Sequence, residues 1–212
     1  MGLFQKKPQF QTSAPAYSIG MQKSVLIVGL GNIGKEYDGT RHNLGFACID
    51  ALAKSQDLDS WTEKKDLKCQ LAMGNIGETR VILCKPTTFM NNSGEAVQAV
   101  CHFYKIDPSS VVAVHDELDI DFGQIRTAMG GGSAGHNGVK SVIEHMGADF
   151  GRVRIGVGPK TPAQIDSADF VLAKLSDTEQ AQLKNLIQET NALLTEYIHS
   201  SNLPTETRKF IV

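Results

Sequence analysis

The sequence predicts a single α/β domain, a three-layer α/β/α sandwich built around a mixed, mostly parallel sheet. Short, continuous apolar runs, which are typical of buried strands, alternate with segments whose apolar residues recur at helical spacing. The chain has 212 residues, of which 41% are hydrophobic and 21% are charged, as expected for one domain with a substantial core. Because no internal repeat or linker interrupts this order, helices on both faces of one sheet are the natural packing.

The first part of the chain contains three predicted strands and a helix. Residues 24–28 (SVLIV) form a continuous apolar run and are predicted to be a central strand. Residues 69–73 and 80–84 are predicted strands joined through the turn-forming residues 74–77, which indicates a hairpin. A helix is predicted over residues 43–55, whose helical stripe comprises Leu44, Ala47, Cys48, Ala51 and Leu52.

The rest of the chain alternates in the same way and ends in a long amphipathic helix. Residues 176–179 (SDTE) form a capping box at the start of that helix. The apolar stripe that follows comprises Leu183, Leu186, Ile187, Leu193, Leu194 and Ile198. Between the hairpin and this helix, the patterns predict helices over residues 93–105 and 138–146, and strands over residues 110–115, 124–128 and 153–157.

Residues 1–20 differ from the rest of the chain. They contain Gln, Pro, Ser and Lys without clear periodicity, and they lack the long apolar stretch of a signal peptide. We interpret them as a disordered leader, an overlong start or a cloning remnant, and expect them to be dispensable. Met21 is an alternative start, and residues 21–212 are the predicted domain.

Composition restricts the classes of partner and compartment. No run approaches the roughly 18 apolar residues that a membrane span needs, so no membrane partner is predicted. The net charge of −2 gives no overall attraction to nucleic acid, and any RNA binding must come from a local basic patch. The cysteines show no CxxC pair or metal-ligand spacing, which is typical of reduced core residues in a cytoplasmic protein; they are Cys48, Cys69, Cys84 and Cys101.

A glycine-rich turn follows the first predicted strand. Residues 29–34 (GLGNIG) match the GxGxxG pattern of dinucleotide-binding turns, and Asp50 lies near the spacing of a ribose-binding acid. That pattern requires a helix that begins within the turn, because the helix N-terminus holds the pyrophosphate. Here the chain continues with polar residues and the helix begins only near Asn43, so that Asp50 falls inside a helix. A nicotinamide-dependent enzyme is therefore an alternative that the pattern does not favour.

Several polar residues follow predicted strands: Asn32, Asn91 and the cluster of His115, Asp116 and Glu117. In open α/β sheets, ligands bind in the crevice beyond the carboxyl ends of the strands. Asn32 and Asn91 are uncharged donors suited to a carbonyl oxygen that gains charge, and the loss of such a donor costs about 10²–10³ in rate. We therefore predict that both asparagines are catalytic.

His42 and Asp116 are a candidate base and the carboxylate that orients it. A carboxylate that accepts one imidazole N–H leaves the other nitrogen free to take a proton. The sequence has no GxSxG motif and no cysteine in a reactive setting, so attack by activated water is favoured over a covalent nucleophile. No metal is predicted, because the i, i+4 pairing of an HExxH site is missing among His42, His115, His136 and Asp116.

Each of these residues also has a purely structural alternative. His42 can be a surface or capping histidine, Asp116 a turn residue, and Asn32 and Asn91 turn formers. Residues 130–135 (GGGSAG) can be no more than a flexible loop. The combination of these residues, and no single one of them, favours a catalytic site.

Five motifs, in this order, make the chain resemble the bacterial-type peptidyl-tRNA hydrolase family: VGLGNIGKEYDGTRHNLGF, KPTTFMNNSG, HDELD, GHNGVKSVI and VRIGVG. The resemblance runs from about Lys23 to the C-terminus. It implies a three-layer α/β domain that is usually a monomer, with no metal or organic cofactor and no obligate protein partner. It also implies a cytoplasmic hydrolase that cleaves the ester between peptide and tRNA and so returns tRNA to translation.

The resemblance implies roles for individual residues. His42 matches the general base, Asp116 the carboxylate that stabilises it, and Asn32 the residue thought to discriminate peptidyl-tRNA from aminoacyl-tRNA. The positions that match substrate contacts are Tyr37, Phe89, Asn91 and Asn137, with Met90 and His136 beside them.

A basic patch for tRNA is also implied. Arg154 matches an arginine that helps to hold the tRNA 5′-phosphate, aided in the family by a basic residue at the position of Ala128. Side chains alternate along a strand, so Arg152 and Arg154 can point to one face, and Arg126 shares a face with Ala128. We predict that Arg126 and Arg154 form the phosphate-binding patch, with Lys140 as a third candidate. The alternative is a solvated strand face.

Ala134 is a second departure from the family pattern, and a non-catalytic RNA-binding protein is a second possible functional class. Ala134 stands where the family's glycine loop has a glycine, which puts the conformation of that loop in question. The second class is a hydrolase-like protein that binds RNA without cleaving it, as in plant relatives that act in intron splicing. The intact set of candidate catalytic side chains argues against that class.

Overall fold

The structure, a computed structural model, describes residues 23–211, so the predicted leader and the alternative start at Met21 lie outside the described residues. Its strands are β1 (Ser24–Gly29), β2 (Thr62–Lys64), β3 (Cys69–Ile76), β4 (Thr79–Pro86), β5 (Val111–Asp121), β6 (Gln124–Met129), β7 (Gly151–Gly158) and β8 (Glu206–Lys209). Its α-helices are α1 (Leu44–Ser55), α2 (Ser93–Tyr104), α3 (Asn137–Met146), α4 (Ser167–Leu172) and α5 (Asp177–Ser200).

The eight strands of the described chain form one mixed sheet, in the order β2-β3-β4-β1-β5-β7-β6-β8. The four central strands, β4, β1, β5 and β7, run parallel. The outer strands pair antiparallel. Val25 and Ile27 of β1 point to a core formed with α1, α4 and α5, whereas Leu26 and Val28 point to a core formed with α2 and α3. The predicted three-layer sandwich around a mixed sheet is therefore confirmed.

Each predicted strand and helix is present, and several extend beyond their predicted bounds. The hairpin of β3 and β4 is confirmed, but its turn is confined to Gly77 and Glu78 because residues 74–76 continue the antiparallel pairing. Gly77 has a φ of 59°, which suits a tight hairpin turn. Three elements were not predicted, β2, α4 and β8; each has six residues or fewer, too few to show a period.

The prediction that a strand ends at His115 is wrong. β5 continues to Asp121, because His115, Asp116 and Glu117 pair with residues 154–156 of β7. Polar residues are unusual in a buried strand, so the apolar run in the sequence ends near His115 although the pairing of β5 with β7 continues beyond it. The polar cluster thus lies within a strand, and Asp116 points to the opposite face from its two neighbours.

The GLGNIG turn allows close packing of α1 and does not have the form of a dinucleotide-binding turn. No α-helix begins within the turn, and α1 starts only at Leu44. A Cβ atom at Gly29, the first residue of the turn, would collide with the carbonyl oxygen of Gly45 in α1, so glycine is required for the turn to approach α1 this closely. Asp50 lies in α1 and pairs with Lys85 at 2.7 Å. The nicotinamide alternative therefore loses both of its supporting features.

The four cysteines are buried and free, as predicted for reduced core residues. Within residues 23–211, no helix combines the length and the apolar character that crossing a membrane requires.

Candidate active site

A cleft with a volume of about 880 Å³ opens where the central parallel strands end. It is lined by residues that follow β1, β4 and β7, by the second half of β5, by α4 and by residues 134–137. The carboxyl ends of parallel strands form the crevice in which ligands bind in open α/β sheets. The candidate catalytic residues Asn32, His42, Asn91 and Asp116 all line this cleft.

Asn32 is fixed at the cleft floor by three hydrogen bonds. The side chain of Asn43 accepts from the Asn32 backbone N–H at 2.8 Å and donates to the Asn32 carbonyl at 2.9 Å. The side-chain oxygen of Asn32 accepts from the backbone N–H of Met90 at 2.8 Å. Because its oxygen is already bonded, Asn32 presents its amide NH₂ group as the remaining donor. Such a donor suits a carbonyl oxygen that becomes negatively charged.

His42 and Asp116 form a buried hydrogen-bonded pair. His42 lies in the turn before α1, and its Nδ1 is 2.9 Å from Oδ1 of Asp116 on β5. Burial by itself raises the pKa of Asp116, but the charges and hydrogen bonds of His136 and His42 outweigh it and hold the pKa well below its usual range. An ionised Asp116 accepts the Nδ1–H of His42, which leaves His42 Nε2 able to accept a proton.

His136 contacts the same carboxylate oxygen, which the sequence did not predict. Its Nε2 lies 3.1 Å from Asp116 Oδ1, and its Nδ1 accepts from the backbone N–H of Val139 at 3.2 Å. Since Nδ1 is an acceptor, a neutral His136 carries its proton on Nε2 and donates it to Asp116. His136 therefore caps the N-terminus of α3 and supports Asp116 at the same time.

The side chains of His42, Asp116 and His136 are also of the types that can ligate a metal ion. Within the described residues, the ligand atoms of His42, Asp116 and His136 lie within 4.8 Å of one another. Ligation through His136 Nε2 would move the proton of a neutral ring to Nδ1. There it would face the N–H of Val139 and break the cap of α3. The hydrogen bonds therefore fit a proton-transfer site better than a metal centre.

Five of the residues predicted to contact substrate line the cleft, and Tyr37 packs against one of them; the five are Phe89, Met90, Asn91, His136 and Asn137. Phe89 has a φ of 57°, a costly conformation for an aromatic residue, and is 53% exposed. Its ring meets that of Tyr37 edge to face, with centroids 6.4 Å apart. Asn91 and Asn137 are exposed on the cleft walls, whereas Met90 is buried below them. An exposed aromatic ring in a strained backbone is typical of a functional position.

The chain matches the family model described as peptidyl-tRNA hydrolase over residues 26–211. The chain belongs to the peptidyl-tRNA hydrolase family. A chloroplastic peptidyl-tRNA hydrolase of Arabidopsis thaliana is 40% identical over 213 residues, which cover 98% of this chain and 72% of that protein. A peptidyl-tRNA hydrolase of Francisella tularensis subsp. novicida is 44% identical over 181 residues, which cover 84% of this chain and 93% of that protein.

A solved structure supports the same assignment. The crystal structure of peptidyl-tRNA hydrolase from Acinetobacter baumannii is similar to this chain with a TM-score of 0.72 and 36% identity. The similarity covers 84% of this chain and 88% of the crystallised chain. The resemblance seen in the sequence is thereby confirmed at the level of the family.

In this family member, Arg126 and Arg154 stand side by side on β6 and β7. They are direct partners in the antiparallel pairing, so their side chains share one face of the sheet. Ala128 pairs in the same way with Arg152. Lys140 is exposed in the first turn of α3. Like charges directly opposite each other destabilise a sheet. An anion bound between Arg126 and Arg154 would relieve this repulsion, which is consistent with the predicted phosphate-binding patch.

Arg41, which precedes His42 but does not line the cleft, holds the turn of His42 in place and was missed by the sequence-based reasoning. Its guanidinium donates to both carboxylate oxygens of Glu179, at 2.9 and 2.6 Å, and to the carbonyls of Phe170 and Lys174, at 3.2 and 3.1 Å. It also lies 4.2 Å from the centroid of the Phe170 ring. Arg41 thus joins the turn that carries His42 to α4 and α5. The only sequence signal was the capping box that contains Glu179, and no local pattern links it to residue 41.

Ala134, in the glycine loop of residues 130–135, has a backbone conformation that favours glycine. Ala134 has a φ of 45°, in the left-handed region. That region costs a residue with a Cβ atom roughly 1–2 kcal/mol. The alanine at this position therefore strains the loop.

Exchange of Ala134 for glycine should accordingly be close to neutral. Relief of the strain offsets the entropy that glycine gains in the unfolded chain, about 0.4–1 kcal/mol. As a control, Ala47→Gly within α1 should lower the free energy of unfolding by about 1 kcal/mol. Urea denaturation of both variants measures the difference. If Ala134→Gly lowered the free energy of unfolding as much as Ala47→Gly, Ala134 would not be strained.

His115 is a buried histidine beside the site. Burial, with a smaller contribution from the charge of His136, lowers the pKa of His115 to about 3. Its Nδ1 lies 2.7 Å from the backbone carbonyl of Asp116. Its Nε2 is buried and has no hydrogen-bond partner among the described residues. The ring is therefore neutral in the folded protein.

His115 should make stability decrease in mild acid. In the unfolded chain a histidine titrates near about 6.5, so below that pH the unfolded state binds a proton that the folded state does not. The contribution is complete above about pH 6.5 and is lost toward about pH 3, at up to about 1.4 kcal/mol per pH unit. Urea denaturation between pH 5 and 6 should therefore show a smaller pH slope for His115→Gln than for the wild type. Identical slopes would show that His115 does not contribute.

Proposed function

We propose that this chain hydrolyses the ester bond between a peptide and tRNA, with His42 as the general base and Asp116 as its orienter. The observation that carries the proposal is the buried 2.9 Å hydrogen bond between His42 Nδ1 and Asp116 Oδ1 in the cleft at the strand ends. It leaves His42 Nε2 as the acceptor for a proton of water. Membership of the peptidyl-tRNA hydrolase family supports the same reaction.

The reaction needs only proton transfer and stabilisation of an oxyanion. His42 takes a proton from water as the oxygen attacks the ester carbonyl, and Asp116 stabilises the imidazolium that forms. The NH₂ groups of Asn32 and Asn91 donate to the carbonyl oxygen as it gains charge. His42 then returns the proton to the departing ribose oxygen, which releases the peptide acid and tRNA.

The remaining parts of the proposal concern partners and conditions. We infer that Phe89 and Tyr37 offer ring surfaces to the substrate at the cleft rim, with Met90, His136 and Asn137 nearby. The hydrogen-bonded tautomer of His136 supports a reaction that needs no metal ion. By the family resemblance we also propose that residues 21–212 act as a monomeric cytoplasmic domain, with no organic cofactor and no obligate protein partner.

A turnover assay on an N-acetyl-aminoacyl-tRNA tests the reaction. The wild-type protein should release tRNA from this substrate over many turnovers and should leave the same aminoacyl-tRNA without the acetyl group intact. Activity should also survive a metal chelator. Tight binding of tRNA without release of the acyl group would instead favour the RNA-binding class and would refute the proposal.

The phosphate patch makes a separate prediction about salt. Arg126→Ala should weaken tRNA binding and lower the slope of log K against log salt concentration by about one, because one phosphate contact is lost. Cleavage of a short aminoacyl ester without an acceptor stem should not change. Lys105→Ala, which removes an exposed charge at the end of α2, is the control and should leave the slope unchanged. An unchanged slope for Arg126→Ala would mean that the 5′-phosphate is held elsewhere.

A further inference from the structure

We propose that Arg152 is a positioning residue, which holds the glycine loop in the conformation that brings His136 to Asp116. The inference rests on the proposed function, because it gives Arg152 a role in supporting the base His42. Arg152 does not contact the candidate catalytic side chains; it acts through the loop.

The side chain of Arg152 is buried and forms hydrogen bonds with the glycine loop. Arg152 on β7 is 3% exposed. Its Nη2 donates to the carbonyl oxygen of Gly131 at 2.6 Å, and its Nη1 donates to that of Gly132. Its guanidinium lies 4.7 Å from the centroid of the Phe150 ring. A planar fork that reaches two successive carbonyls while stacking on a ring is a geometry that arginine provides and lysine does not.

The position of Arg152 carries an electrostatic cost. Arg154 lies two residues away on the same face of β7, and Arg126 is the direct partner of Arg154 on β6. Burial, and then the charge of Arg154, lower the pKa of Arg152. No carboxylate pairs with Arg152 among the described residues. The charge of Glu117 opposes this shift only in part, and the hydrogen bonds of Arg152 within the described residues go to loop carbonyls. A buried cation without a paired carboxylate costs stability, which is typical of a residue that imposes a particular arrangement.

The loop needs such an anchor. Gly130, Gly131, Ala134 and Gly135 all have positive φ angles, and most of the loop is exposed. Ordering glycines costs more conformational entropy than ordering any other residue. One end is held by the backbone hydrogen bond from Gly130 to Phe150, and the other end continues into α3 through a local turn between Ser133 and His136. The contacts of Arg152 fall between these ends.

The end of the loop determines the hydrogen bonds at Asp116. His136 follows directly after Gly135 and places its Nε2 3.1 Å from Asp116 Oδ1, the oxygen that also bonds His42. His136 is held by α3 on one side and by the loop on the other, so a loosened loop would remove one of its two supports and weaken its bond to Asp116. The base His42 would then lose part of its support. Replacement of Arg152 should therefore lower kcat and leave the affinity for tRNA unchanged.

Arg152→Met, which keeps the length and apolar stem but removes the fork, tests the proposal together with Arg152→Lys. Amide hydrogen exchange of residues 130–135 should accelerate in Arg152→Met, kcat should fall by about 10- to 100-fold, and KM should be nearly unchanged. Arg152→Lys, which keeps the charge and can reach one carbonyl, should recover part of both effects. Arg80→Met is the matched control, since Arg80 also stacks on an aromatic ring, that of Tyr104 at 5.3 Å, outside the cleft.

Three outcomes would overturn the proposal. Unchanged exchange in the loop would show that Arg152 does not hold it. Faster exchange with an unchanged kcat would show that the loop does not support the base. A raised KM with an unchanged kcat would make Arg152 a ligand of the phosphate. If wild-type protein failed to cleave N-acetyl-aminoacyl-tRNA, the proposed function would fail, whereas the exchange measurement would still decide whether Arg152 anchors the loop.

Discussion

His42→Ala should cleave N-acetyl-aminoacyl-tRNA about 10²–10⁴-fold more slowly than the wild type, which is the usual contribution of a positioned general base. The variant loses the imidazole that the hydrogen bond to Asp116 prepares to take a proton from water. Single-turnover kinetics with saturating protein measures this loss directly, because it separates chemistry from tRNA binding and product release. A near-wild-type rate would show that another group activates the water.

Binding and structure should persist in the His42→Ala variant. The predicted phosphate contacts, Arg126 and Arg154, lie on β6 and β7, so the affinity for tRNA should stay near that of the wild type. His102→Ala is the matched control, since His102 is exposed on α2 and does not line the cleft. Asp116→Asn keeps the shape of the pair but weakens the support for the base, and its rate should also fall. A loss of tRNA affinity equal to the loss in rate would indicate a collapsed site.

The order of strands and helices could be predicted because burial imposes a period that is visible locally. The continuous apolar run of β1 is typical of a strand buried on both faces, and the stripe of α5 repeats at helical spacing over enough residues to decide the element. The second half of β5 could not be predicted, because His115, Asp116 and Glu117 are polar and their pairing with β7 is made by distant residues. Elements as short as α4 carry too few residues for any period.

The candidate site also has residues that the sequence could predict and contacts that it could not. Asn32, His42, Asn91 and Asp116 could be proposed from residue type and motif, and the cleft brings all four together. Their partners could not be proposed, because those contacts depend on side-chain directions in the folded chain. The bond from His136 to Asp116 and the contacts of residues 41 and 152 join segments that share no local pattern.

The Arg41–Glu179 pair should be worth the most to stability among the ion pairs of the described chain. Both side chains are nearly buried, at 9% and 11% exposure, and the carboxylate accepts two hydrogen bonds from the guanidinium. Removal of one partner leaves a buried charge without its counter-ion, which costs about 3–5 kcal/mol. Arg41→Met should therefore lower the free energy of unfolding by about that amount, measured by urea denaturation. Glu196→Ala, which breaks a more exposed pair with Arg208, should cost at most about 1 kcal/mol.

A double variant separates the ion pair from the capping box that shares Glu179. Glu179 also accepts from the backbone N–H and the Oγ hydroxyl of Ser176, each at 2.7 Å, so Glu179→Leu should lose both the ion pair and the capping box. Ser176→Ala should lose only the bonds of the hydroxyl and keep the ion pair with Arg41, at a cost of about 1 kcal/mol. Arg41→Met combined with Glu179→Leu leaves no unpaired charge, and its cost should be clearly less than the sum of the two single costs. Strict additivity would mean that Arg41 is stabilised mainly by the carbonyls of Phe170 and Lys174, and that the carboxylate contributes little.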